Sequence, residues 1–114
     1  MRTMCLALGL LTGVAYADIP EESSPELRDI VRVYTHDVVM CLGRAHKKGR
    51  TPAGSLLMRV DIIDNHADAV AIERDATESK GLAKCVRRRM GAWLYQDLPD
   101  GHYTWQFEML VADR

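Results

Sequence analysis

Gly54-Ser55-Leu56-Leu57-Met58-Arg59-Val60-Asp61-Ile62-Ile63 is the stretch on which the fold turns. Its apolar residues recur every second position. Leu56, Met58, Val60 and Ile62 share one face, and Leu57, Arg59, Asp61 and Ile63 share the other, which is mixed. Side chains of an extended chain alternate sides, so this pattern predicts a strand with one face in a core. Upstream the apolar period is that of a helix, and downstream it becomes helical again only beyond a turn and a second strand, so this strand follows one helix and opens a hairpin.

Upstream, Leu27, Ile30, Val31, Tyr34, Val38, Cys41, Leu42 and Ala45 recur at helical spacing. Ser23 with Glu26 fits a capping box, and Pro25 suits a first helical turn. His46-Lys47-Lys48 followed by Gly49 marks the end, and Pro52 lies in the loop beyond it. Downstream, Asp64-Asn65-His66-Ala67-Asp68 has turn composition. A shorter strand follows, with Val70 and Ile72 inward and Glu73 outward. Thr77 or Ser79 can cap a second helix with Leu82, Cys85, Val86, Met90, Trp93 and Leu94 on one stripe. Gly81 and Gly91 weaken that helix, each by up to about 1 kcal/mol relative to alanine. After a turn at Asp97-Leu98-Pro99-Asp100-Gly101, Tyr103, Trp105, Phe107, Met109 and Val111 face one way. His102, Thr104, Gln106, Glu108 and Leu110 face the other. The expected fold is α+β, a two-layer αββαβ domain. Its three-stranded antiparallel sheet has the order 2-1-3 and carries two helices on one face.

The first seventeen residues read as a secretory signal. Arg2 supplies a positive start, Met4–Val14 an apolar run too short to span a bilayer, and Ala15-Tyr16-Ala17 the small residues that precede cleavage. The expected organisation is a signal peptide over 1–17, a flexible lead over 18–24 and one domain over 25–112. The expected location is periplasmic or extracellular, with no membrane span after cleavage. The chain of 114 residues has a formal net charge of −1, or −2 without Arg2. That balance argues against nucleic acid as a partner. Cys5 would leave with the signal. Cys41 and Cys85 remain, both on inward helix stripes in an oxidising compartment, and are expected to bond to each other. Two separately buried thiols are the alternative. A loop of 44 positions gives about 4 kcal/mol of stabilisation in the chain-entropy model.

Val38-Val39-Met40-Cys41, the start of a strand at Gly54, Leu82-Ala83-Lys84-Cys85-Val86, Trp93 and a proline-then-glycine turn before an aromatic last strand form a recognisable set. Together they resemble the TonB C-terminal-like domains, especially the AgmX/PglI C-terminal type, from about Ile30 to Val111. Three positions depart from that pattern: Leu42 stands where an aromatic is common, Leu94–Pro99 replaces a Phe-Pro pair, and the hairpin lacks a glycine. The resemblance implies a non-catalytic protein-binding module of the cell envelope. Such domains bind partners by adding a strand to a free sheet edge. Here that edge is the last strand, whose outward residues Thr104, Gln106 and Glu108 are the expected partner-binding positions.

Other chemistry is thin. Lys84, Arg87, Arg88 and Arg89 could dock an acidic surface, although a run of charge on a helix is ordinarily a solvated face. Asp64, His66 and Asp68 could hold a metal ion, but their types belong in turns anyway. His36, His46 and His102 lie on separate elements. No nucleophile motif, phosphate loop or metal signature is present, and no cofactor is expected. A small secreted enzyme or inhibitor with the same element order is the alternative.

Overall fold

The computed structural model describes residues 12–14, 19–47 and 53–111. The expected cleavage point after Ala17, the helix end at Lys48-Gly49, the Pro52 loop and the domain end at residue 112 lie outside the described residues. In chain order the elements are β1 (Thr12–Val14), a 3-10 turn (Pro25–Leu27), α1 (Arg28–Val33), α2 (Thr35–Lys47), β2 (Gly54–Ile63), β3 (His66–Asp75), α3 (Lys80–Ala92) and β4 (Gly101–Val111).

The three long strands are antiparallel, in the order β3-β2-β4, which is the 2-1-3 order expected from the sequence. The short β1 adds a fourth strand beyond β4, pairing Thr12 with Val111 and Val14 with Met109. One core holds the helices against the sheet. Leu56, Met58, Val60 and Ile62 of β2 and Trp105, Phe107 and Met109 of β4 are buried in it. They meet Val31, Val38, Cys41 and Leu42 from α1 and α2 and Leu82, Cys85, Val86 and Met90 from α3. Val70, Tyr103, Ile30, Tyr34 and Ala45 are partly buried around it. Ile72 and Leu94, expected inside, are 36% and 41% exposed, because β3 lies at the rim and Leu94 follows the end of α3.

The disulfide is present. Cys41 of α2 and Cys85 of α3 have Cα atoms 5.7 Å apart and are bonded to each other. The first helix is broken where the periodicity alone runs on. Thr35 spends its hydroxyl on the carbonyl of Val31 at 3.0 Å, and Tyr34 between them has φ −102° and ψ 18°. Side-chain competition of this kind bends helices. The bend lets the Tyr34 ring stack on Trp93, with centroids 4.9 Å apart and planes 7° from parallel.

Two local expectations need correction, and one open choice is settled. Asp64 and Asn65 alone form the hairpin turn, with φ 53° and 67°. A two-residue turn with both residues in the left-handed region matches strand twist without glycine. His66, Ala67 and Asp68 are therefore already strand, and β3 reaches ten residues. The capping box at Ser23 and Glu26 does not form: the turn at Pro25 has no side-chain cap. Of the two candidate caps on α3, Ser79 accepts from the Leu82 amide at 3.3 Å. Thr77 instead joins Asp75 to the Ser79 amide.

Gly54 opens β2 at φ +114°, and a Cβ there would come within 2.6 Å of the Ala76 carbonyl oxygen. Backbone cannot yield as a flexible side chain can. Gly54→Ala should therefore cost about 1–3 kcal/mol in denaturant unfolding. The same measurement under reducing conditions should show a loss of up to about 4 kcal/mol from opening Cys41–Cys85. Reduced protein as stable as oxidised protein would refute the structural role of the bond.

Candidate functional site

The two outer edges of the sheet and the charge around them are the candidate positions, because an edge strand carries backbone groups that the sheet itself does not use. On β4, the Thr104 amide donates to Ser24 Oγ at 3.0 Å and the Gln106 amide to Ser23 Oγ at 2.9 Å. Both amides therefore point away from β2. The Ser24 amide donates to the Thr104 carbonyl at 2.7 Å, and the Thr104 hydroxyl to the Glu22 carbonyl at 2.7 Å. Glu22 also pairs with Arg74 of β3. The lead expected to be loose is thus laid along the strand, and the backbone groups expected to be unpartnered at Thr104 and Gln106 have partners. Farther along, β1 covers Met109–Val111. Gln106 and Glu108 are joined side chain to side chain, Nε2 to Oε2, at 2.7 Å.

The face of the sheet turned away from the helices carries a charged cluster that residue spacing did not bring together. His102 Nδ1 lies 2.6 Å from Asp61 Oδ1, and Arg59 Nε lies 3.2 Å from the same oxygen. Arg59 also reaches Glu73 at 3.6 Å. The strand pairing that aligns Asp61 with His102 brings together residues 41 positions apart. The hydrogen bond from His102, and then the one from Arg59, hold the Asp61 carboxyl below the usual carboxylate range.

The basic run divides. Arg89 turns to Asp37 of α2 at 3.6 Å, and Asp37 also accepts from Trp93 Nε1 at 2.9 Å. That arginine belongs to the helix–helix joint. Lys84, Arg87 and Arg88 instead border a groove of about 400 Å³ with Gly91 and with Ala67–Val70 of β3. They have no ion-pair partner among the described residues. A second depression, of about 410 Å³, adjoins Cys41 and Cys85. It is lined by cations (Arg44, Lys80) and an acid (Glu78) together, so its charge selects no ligand class.

Asp64, His66 and Asp68 do not converge. The Asp64 amide is held by Asp100 Oδ1 at 2.9 Å, and His66 bridges to Leu94. Among the described residues no group of three His, Cys, Asp or Glu side chains is placed to hold a metal ion, and no helix is long and apolar enough to cross a membrane. Tyr95 escaped the sequence reading. It lies outside both helical stripes, yet it is buried and its hydroxyl donates to the Met90 carbonyl at 2.7 Å. Burial pushes its phenol pKa up. No family model, no curated protein and no solved structure matches the chain.

Asp61 generates a prediction with a definite sign. Its pKa is lower folded than unfolded, so the unfolded chain takes up its proton first and stability rises with pH across that window. The contribution is complete above the unfolded value of about 4 and disappears as pH falls through the lowered folded value. Asp61→Asn should therefore be less stable than the parent at pH 7, and the gap should close as pH falls below about 4 and through the lowered folded value. A gap that stays constant over that range in urea unfolding would show that the carboxylate contributes nothing through its charge.

Proposed function

We propose that this chain is a non-catalytic, protein-binding module of the cell envelope, of TonB C-terminal-like type, working outside the cytoplasm. Its recognition element is the outer edge of β4, with Thr104, Gln106 and Glu108 along it. The observation that carries the reading is the way this edge is covered. Two serine hydroxyls hold the outward amides of Thr104 and Gln106. A partner strand would offer those amides carbonyl oxygens in a continuous ladder, which is how edges capture extended peptides. The lead therefore occupies the site as a replaceable stand-in. β1 lies within the segment read as a signal, so cleavage would also free the edge at Met109–Val111. The Cys41–Cys85 bond accords with an oxidising compartment.

The direction of the amides makes a proline scan decisive. Gln106→Pro removes a donor that β2 does not use, at a stability cost of about 0.5–1.5 kcal/mol for the lost Ser23 bond. Trp105→Pro removes a donor on the β2 side and should unfold the domain. Affinity capture from the native envelope fraction, with the parent and Gln106→Pro compared by quantitative mass spectrometry, should return a partner at least roughly tenfold depleted by the variant, as for loss of one or two backbone bonds. Identical recoveries with the two proteins would defeat the β4 reading.

A further inference from the structure

β3 forms the opposite edge of the sheet from the β4 side. We propose that the outer edge of β3, together with Lys84, Arg87 and Arg88 of α3, binds a short extended acidic peptide segment of a partner protein, which adds to the sheet beside β3. Three observations meet there.

The first is the backbone. Tyr103 pairs with Val60 and Trp105 with Met58. Because the Thr104 and Gln106 amides point outward, those of Tyr103 and Trp105 point to β2, and the ladder groups of Val60 and Met58 face β4. Val70 and Ile72, which lie opposite Val60 and Met58 on β3, then direct their backbone groups away from the sheet. Among the described residues no strand pairs with them there; the His66–Leu94 bridge covers only the start of the strand. Register shifts leave Asp68 and Glu73 as extra residues on either side of this segment. Bulges interrupt pairing, so the regular edge is confined to Ala69–Ile72, which suits a short segment and excludes a long sheet-to-sheet contact.

The second is charge. Positions 84, 87, 88 and 91 are spaced i, i+3, i+4 and i+7, so Lys84, Arg87, Arg88 and Gly91 form one stripe of α3. That stripe borders the groove against β3. The 84–88 pair sets like charges one helical turn apart, an arrangement that destabilises a helix. The cations have no acidic partner among the described residues, while Arg89, off the stripe, has Asp37. Asp68 contributes one carboxylate to the rim, so the groove is net positive. An extended peptide presents alternate side chains about 7 Å apart toward α3. Glutamates at those alternate positions meet the three cations while the peptide backbone meets Val70 and Ile72.

The third is space. A Cβ at Gly91 meets nothing within 4 Å, so the end of the groove is open and can be filled without disturbing the core. Ile72, two positions beyond Val70 on the same face of β3, is 36% exposed and open to an apolar contact.

The test uses the full chain and a capped synthetic hexapeptide, Glu-Thr-Glu-Val-Glu-Thr, followed by amide chemical shifts and by fluorescence anisotropy. Binding should shift the signals of Ala69–Ile72 and Lys84–Gly91 and leave Thr104 and Gln106 unmoved. Doubling ionic strength should weaken it, and Arg87→Gln with Arg88→Gln should weaken it roughly tenfold, the sum of two exposed ion pairs. Those two substitutions should leave the denaturant midpoint of unfolding unshifted, as for exposed sites. Gly91→Trp should block binding and Gly91→Ala should not. Two probes leave the protein untouched: the peptide with glutamine for glutamate, and the peptide N-methylated at the alternate amides that would face β3. Both should fail to bind. Undiminished binding of the N-methylated peptide, matched by a heparin oligosaccharide at the same residues, would make the groove a general polyanion site and overturn the proposal. Absence of any shift at Ala69–Ile72 would overturn it as well. Neither result would touch the β4 reading, whose probe is Gln106.

Discussion

The covalent link between Cys41 and Cys85 is the constraint on which the rest of the structure leans. α3 lies over β3 and β2, but α2 rests on α3 and on β1. If β1 departs with the signal, what keeps α2 in place is α3, the buried side chains Val38, Cys41 and Leu42, and the bond itself. A domain of this size has a total stability of roughly 5–15 kcal/mol. A cross-link worth about 4 kcal/mol is then a large share. The bond is reinforced at the other end of the helix pair, where Asp37 holds both Trp93 and Arg89. Between them these two joints fix the pose of α3, and the pose of α3 decides which of its side chains overlook the edge of β3.

Ser23 and Ser24 show how competing local and distant demands are resolved. Each has a plausible task at the start of the first helix, where a cap is worth about 1 kcal/mol. The structure assigns both to β4 instead. Pro25 has no amide to satisfy, and Pro25 and Glu26 are exposed, so water serves the open donors at that helix start. Thr104 and Gln106 are half-buried, and an amide there that lacks a partner loses water without replacement. Hydroxyls go where water is scarcer. A four-residue pattern read along the chain cannot register that difference, because the competing donors lie 80 and 83 positions away.

What was legible in the sequence was what repeats locally. The buried faces of β2 and β4, the inward placement of both cysteines and the strand order follow from period and connection length, and each is found. Less legible were features set by one atom or by a distant neighbour. Thr35 breaks a helix whose apolar stripe continues through it. Asp64 and Asn65 make a turn with no glycine to announce it, which lengthens β3 at the expense of the expected loop. Tyr95 is buried because α3 stops at Ala92 and the chain folds back, and no stripe marks it. The His102–Asp61 contact exists because β4 lies beside β2 in one register. The run Arg87-Arg88-Arg89 was visible as charge, but a turn of about 100° per residue separates its members, so one serves the helix joint and two face the groove.

The two edges of this sheet solve the same problem differently. A row of free amides and carbonyls invites pairing with other chains, and proteins blunt such rows by covering, bulging or charging them. β4 is covered: hydroxyls and a backbone bond from the lead serve its middle, and β1 serves its end. β3 is bulged at Asp68 and Glu73 and overlooked by Lys84, Arg87 and Arg88. Covering is reversible by exchange, since whatever replaces the lead must only make better bonds than two serines do. Charging is selective, since it admits a segment of opposite sign and repels a second copy of the same stripe. The two edges therefore differ in chemistry before any side-chain detail is considered. On the proposed readings, the β4 edge would discriminate by competition with its own chain, and the β3 edge by charge and by the short length its bulges leave open.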